Sequence, residues 1–245
     1  MISYDFWVPL TTLSTKKVAI VQSNYIPWKG YFDLINLVDE FILFDDMQYT
    51  RRDWRNRNLI KTAAGPHWLT IPVAVKGNYL QKIKDTTVSD QRWARKHWKT
   101  IENNYSKARC FDQYRERFED LYLSLEERYL SRINYLFINT ICEILGINTP
   151  ISWSDDYVLV EGKTQRLISL CQQADATTYI SGPAARNYLD ENLFKDARIE
   201  LQYVDYSSYP EYRQLTPPFE HRVSIIDLIF NEGPEATKFM KSFPI

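Results

Sequence analysis

Two short runs of unbroken apolar residues constrain this chain more than any other feature. Val18-Ala19-Ile20-Val21 lies within KKVAIVQ (16–22), and Phe41-Ile42-Leu43-Phe44 lies within EFILFDDM (40–47). A strand with one wet face alternates apolar and polar residues. A run without that alternation is buried on both faces, as the strands of a parallel sheet are. Between the runs, SNYIPWKG with its Pro27 and Gly30 must be a loop, and GYFDLINLVD places Phe32, Ile35 and Leu37 or Val38 near helical spacing. Strand, loop, helix and strand in about thirty residues make a βαβ unit, with parallel strands and a right-handed crossover.

The rest of the chain surrounds a helical middle with further α/β pattern. RRDWRNRNLIKTAAGP is polar and Arg-rich, with turn signals at its end. HWLTIPVAV (67–75) and IKDTTVSD (83–90) are strand-like and separated by KGNYL, whose Gly77-Asn78 is a turn signal, so they form a hairpin or successive strands. From about Asp90 to Gly146 the pattern is helical. WARKHWKTIENNYSKA carries a stripe through Trp93, His97, Trp98, Ile101 and Tyr105, and the stretch after Cys110 gives one long helix or two joined ones. TPISWSDDY begins with a strand, GKTQRLISLCQQADA is a helix with Leu167, Leu170 and Cys171 inward, and TTYISGP is a strand running into a turn. NYLDENLFKDARIELQYVDY adds a helix and a last strand, and HRVSIIDLIFNEGPEATKFM supplies C-terminal helices. The expected fold class is α/β: a mostly parallel, Rossmann-like sheet in one domain over 16–245, with a helical insertion at about 91–146. The opening MISYDFWVPLTTLST (1–15) lacks a basic region and is expected to be a frayed, disordered leader rather than a signal peptide.

Composition narrows the function. Among 245 residues, 30 Lys+Arg balance 31 Asp+Glu for a formal net charge of −1, so a strongly basic nucleic-acid binder is excluded by composition and DNA is not an expected partner. Only 7 residues are Gly, which argues against a Gly-rich phosphate loop as the functional centre, while 15% aromatics suggest an aromatic-lined pocket or an aromatic core. Cys110, Cys142 and Cys171 are odd in number and far apart, and His67, His97 and His221 have no metal-ligand spacing, so neither a disulfide framework nor a metal site is indicated. No apolar run approaches the length of a membrane span. A cytoplasmic protein is the expectation.

Three constellations could carry chemistry. Gln22, Asn24, Tyr25, Trp28 and Tyr31 lie in the loop after the first strand, where ligands bind in parallel α/β sheets. Their side chains suit a nucleotide or a sugar, or else fill the sheet end. Asp45 and Asp46, with Gln48 close behind, end the next strand. Paired carboxylates there could act as a general base, bind sugar hydroxyls or hold a divalent metal, or instead cap a turn and pair with an Arg. Arg52, Trp54, Arg55, Asn56, Arg57 and Lys61 belong to the one strong cationic cluster, suited to a pyrophosphate or an RNA backbone, or to a solvated loop. Ser181-Gly182 is a strand-end turn whose backbone N–H groups could face an anion. Gly162-Lys163-Thr164 matches the end of a phosphate loop only at chance level, since the earlier glycine is absent. His97, within an aromatic helix, is a packed residue rather than a ligand.

The ordered set VQSNYIPWKGYFDLI, FDDMQYTRRDWRNRNLIK, HWLTIPV, HWKTIENNY, TTYISGPAARNYLD and SIIDLIFN resembles the WbqC-like protein family, over about Lys16 to Phe230. The resemblance implies a role among bacterial surface-polysaccharide (O-antigen, lipopolysaccharide) gene products. It suggests a transferase acting on a nucleotide-activated or lipid-linked deoxyamino sugar, with acyl or aminoacyl transfer to its amine. Family members commonly begin the first loop His-Gln-Pro-x-Tyr; here Val21 and Ser23 hold the His and Pro positions, while Gln22, Tyr25, Pro27, Trp28 and Gly30 match. A looser likeness to nucleotidylyltransferases of the HIGH-motif kind, with Trp28 and Tyr31 in place of their histidines, implies a similar architecture. That alternative would call for Mg²⁺; otherwise no cofactor is implied. The combined expectation assigns catalysis to Asp45 or Asp46 as base, and phosphate to the arginines and Lys61. The partners are a nucleotide sugar and other enzymes of the sugar pathway, with a charged tRNA as a conceivable donor. A non-catalytic binding protein of the same pathway is the further alternative.

Overall fold

The computed structural model describes residues 15–244, so the expected leader lies, apart from Thr15, outside the described residues. The two apolar runs form β1 (Lys17–Val21) and β2 (Glu40–Leu43), parallel and in register from Val18–Glu40 to Val21–Leu43, joined through α1 (Lys29–Asn36). Their lack of alternation has the anticipated cause. Val18, Ile20 and Ile42 pack into one hydrophobic cluster, while Ala19, Phe41 and Leu43 pack into another on the opposite face.

Between β2 and the next strand of this sheet comes a long excursion. It opens with an antiparallel hairpin, β3 (Arg57–Thr62) and β4 (Gly65–Thr70). The sequence pattern makes HWLTIPVAV and the segment that follows it a hairpin or successive strands; the structure builds its hairpin from HWLTIPVAV and the segment before. Residues 57–62 look polar, yet Asn58 and Lys61 point inward and are satisfied there. Asn58 donates to the carbonyls of Tyr25 (3.1 Å) and Ile26 (2.9 Å), and the Lys61 ammonium donates to the Pro218 carbonyl at 2.6 Å. Buried polar residues with loop partners hide the strand from a hydrophobicity reading. Residues 83–90 make only isolated bridges, such as Val73–Val88 and Thr87–Tyr129.

Three helices follow: α2 (Trp93–Tyr105), α3 (Phe111–Leu123) and α4 (Leu130–Leu145). The stretch after Cys110 is thus two helices, and Glu127 restarts the second by accepting from the backbone N–H groups of Arg128 and Tyr129. The aromatic stripe of α2 is core: Trp93, Trp98 and Tyr105 are buried. The chain then adds β5 (Ile151–Trp153), α5 (Lys163–Gln173), β6 (Thr178–Ser181), α6 (Glu191–Asp196), β7 (Glu200–Tyr203) and α7 (Ile225–Glu232).

The main sheet is wholly parallel, in the order β5-β2-β1-β6-β7. Counting only its own strands, that is third, second, first, fourth, fifth, a doubly wound Rossmann-like order. α1, the three middle helices and α7 pack with one face, and α5 and α6 with the other. The winding reverses between β1 and β6, which locates the crevice where such folds bind ligands. No helix among the described residues is long and apolar enough to cross a membrane.

Candidate functional site at the end of the first strand

At the carboxyl ends of β1 and β6 opens a cleft of about 550 Å³. Gln22 from the end of β1 and Ser181-Gly182 from the end of β6 contribute to its floor, and Lys163 and Arg166 from the first turns of α5 form one wall. Gly162 begins this wall with φ of +91°, a conformation that L side chains rarely adopt, and so lets the chain turn directly into α5. The positive end of that helix therefore lies beside an ammonium and a guanidinium at the cleft. Arg166 Nε donates to the Val160 carbonyl at 2.8 Å, and among the described residues neither Arg166 nor Lys163 pairs with a carboxylate. The Gln22 carbonyl accepts from Tyr31, while its side-chain amide has no hydrogen-bond partner among the described residues. Phe44, Met47 and Tyr188 add apolar and aromatic surface. A cationic wall, a strand-end turn and an aromatic rim can hold a phosphorylated ligand with a ring.

The two acids expected as catalytic bases have other partners. Asp45 is 1% exposed; one oxygen accepts the Ser23 backbone N–H at 2.8 Å and the other accepts the Ser131 hydroxyl. Burial raises its carboxyl above the usual range, against the pull of those bonds and of Arg55. Asp46 accepts from Lys82 (2.7 Å) and Lys84 (3.0 Å) on one oxygen and from the Ser154 hydroxyl (3.1 Å) on the other. Burial pushes its carboxyl up, but the two ammonium groups and Ser154 outweigh burial and hold it below the usual range. Each oxygen of both acids already accepts a hydrogen bond, so both carboxylates fasten loops together as the protein stands.

The other expected site residues divide. Tyr25 is fully buried, its hydroxyl bonded to His97 Nδ1 (2.9 Å) and Tyr122 (2.6 Å); Tyr31 is also buried and packs on Phe41. Neither can stack on a ligand, because the core already covers both rings. His97 is neutral packing, as its sequence context suggests: burial draws its pKa down to about 4, against a bond to the Thr70 carbonyl. Lys61 lies inside on the Pro218 carbonyl, and Gln48 donates to the Tyr79 carbonyl. Asn24, Trp28 and Trp54 line a second cavity of about 220 Å³, whereas Arg52, Asn56 and Arg57 line a third of about 200 Å³. Arg55 bridges the Gln22 carbonyl and the Asn24 side chain.

Of the fourteen expected binding residues, only Gln22, Ser181 and Gly182 therefore line the large cleft. Lys163 and Arg166 were not among them, and the signal that could have found them was the discounted Gly162-Lys163-Thr164. Val21 also lines the cleft. Among the described residues no three His, Cys, Asp or Glu side chains group as metal ligands would.

Comparison with known proteins identifies the family. The model of the WbqC-like protein family matches residues 22–239. A Mycobacterium tuberculosis protein, called Uncharacterized protein Rv1507c, is 53% identical over 226 residues, covering 92% of this chain and 98% of that protein. No solved structure matches.

Proposed function

We propose, for a chain that belongs to the WbqC-like protein family, that it binds a nucleotide-activated deoxyamino sugar in the large cleft and serves as an acyl- or aminoacyltransferase to the sugar amine. The observation carrying the binding half is the cleft at the winding reversal, with Lys163, Arg166 and the start of α5 converging on one wall. A pyrophosphate is the ligand group that matches two cations which, among the described residues, lack a carboxylate partner beside a helix N-terminus. The transfer half rests on the family's association with surface-polysaccharide genes. In that step the amine lone pair forms a C–N bond to the acyl carbon as the C–S or C–O bond to the donor breaks. The departing thiolate or alkoxide takes the proton that nitrogen sheds.

Calorimetric titration with uridine, deoxythymidine and guanosine diphosphate amino sugars tests the reading. One of them should bind, and Arg166→Gln should weaken it about tenfold, the loss expected for a charge-assisted hydrogen bond. No binding across the panel, or binding indifferent to Arg166, would overturn the site. One observation favours a second reading, a binder of the same sugar nucleotide without turnover: every oxygen of Asp45 and Asp46 already accepts a hydrogen bond within the protein. Binding with no acylated product, by mass spectrometry with thioester and aminoacyl ester donors, would select it.

A further inference from the structure

A narrow wall separates the large cleft from the second cavity. The segment Gln22–Asn24 forms that wall, with Gln22 lining one side and Asn24 the other. Trp28 of the second cavity meets Tyr206 edge-to-face at 5.1 Å, and a Cβ on cleft-lining Gly182 would stand 3.9 Å from the same ring. Two ligand spaces thus share one partition at the end of β1.

The second cavity is built from flat surfaces. Trp28 and Trp54 line it, and Trp54 leans on Trp68 at 5.4 Å between ring centroids. Both Trp54 and Trp68 keep about two-fifths of their surface exposed, at 42% and 39%. Arg57 lies 4.0 Å over the Trp68 ring, and Arg222 lines the cavity itself. The Trp28 indole is set in place by Gly30, where a Cβ would come within 2.4 Å of its ring, so only glycine allows that pose. The surrounding charge is unequal. Arg222 on the cavity, Arg55 bonded to the Asn24 side chain and Arg57 over Trp68 outnumber Asp53, which pairs with Arg55 at 3.7 Å, and Glu220, which pairs with Arg222 at 3.5 Å.

We propose that this cavity is a second nucleotide subsite, which takes one base against Trp28 and Trp54 and leaves its phosphate to the arginines outside. About 220 Å³ is less than a cavity for a whole drug-sized ligand, so it holds one ring of a larger molecule. Stacking indoles accept either a sugar or a base. The arginine excess selects the ring that carries a phosphate, and tryptophan interleaved with arginine is how proteins hold single nucleotides of a strand. The site stands on its own geometry; its role rests on the transferase reading. Acyl and aminoacyl donors carry their group on an adenosine nucleotide, either coenzyme A or the adenosine end of an RNA, and the partition would bring that carrier beside the sugar nucleotide.

Calorimetry with AMP, coenzyme A and a single-stranded tetraribonucleotide ending in adenosine tests the subsite. At least one should bind, and Trp54→Ala, an exposed position that should not disturb folding, should weaken it about tenfold while Trp54→Phe retains most of it. Arg166→Gln, across the partition, should leave this binding unchanged. Preference for coenzyme A would assign a small carrier, and preference for the tetranucleotide an RNA end. Failure of all three probes, binding indifferent to Trp54→Ala, or displacement by N-acetylglucosamine alone would overturn the proposal. Trp54-dependent nucleotide binding without any sugar-nucleotide binding would sustain this subsite and remove the reading of the large cleft.

Discussion

Two polar regions meet at the carboxyl ends of β1 and β2, and they differ in what their polar groups have left to give. Around Asp45 and Asp46, both carboxylates, Ser23, Ser131, Lys82, Lys84 and Ser154 are joined by hydrogen bonds and ion pairs. Around the cleft, Lys163 and Arg166 have no carboxylate partner, and the Gln22 amide no hydrogen-bond partner, among the described residues. By residue type the acidic pair looks the more catalytic of the two. Internal pairing separates them: carboxylates whose every oxygen already holds a partner inside the protein fasten the fold, and cations without a carboxylate partner can meet an anionic ligand.

Asp45→Ala should show the largest effect. It strands the Ser23 N–H and the Ser131 hydroxyl, which are 0% and 2% exposed, and should cost on the order of 3 kcal/mol in urea unfolding. Full stability with lost turnover would reverse the comparison and return Asp45 to catalysis.

The saturated side also includes Tyr25, His97 and Tyr122. Burial keeps the His97 imidazole neutral down to about pH 4, whereas in the unfolded chain it takes a proton near pH 6.5. The unfolded state therefore binds the extra proton first as pH falls, and stability present above 6.5 is lost between there and about 4. The loss should approach roughly 3 kcal/mol, and His97→Gln should flatten that part of the profile. An unchanged slope in the variant would show that His97 is not held neutral.

Gly30→Ala should be the mildest change to the fold. Its methyl must displace the Trp28 ring, which is half-buried and able to move, so about 1 kcal/mol of stability should be lost. Nucleotide binding in the second cavity should fall with it, while sugar-nucleotide binding in the cleft should hold. Equal loss in both would mean that the partition does not separate two sites.

Much of the fold was legible in local pattern. Residues 18–21 and 41–44 announce a parallel sheet because both faces of β1 and β2 are buried, and the stripe on α2 announces a packed helix. β3 was not legible, because Asn58 and Lys61 point inward against loop carbonyls, and no hydrophobic count registers a satisfied polar residue. The candidate site was legible only in part. Gln22 and Ser181-Gly182 follow apolar strands and so mark strand ends, but Arg166 is an unremarkable helix residue until α5 is placed against the sheet. Tyr25 and Trp28 are three positions apart in one loop, yet one ring is sealed in the core and the other lines a cavity.

By itself, then, the sequence determined which segments are strands of a buried sheet, which are helices, and that a chain with 7 glycines is not built around a Gly-rich loop. Only the tertiary structure decided strand order, and strand order decided the site. Apolar runs are interchangeable in the burial they seek, so composition cannot say that β6 lies beside β1. That adjacency reverses the winding, opens the cleft, and brings Lys163 and Arg166 to Gln22. It also divides residues close in sequence between saturated structure and surfaces with hydrogen bonds left to make.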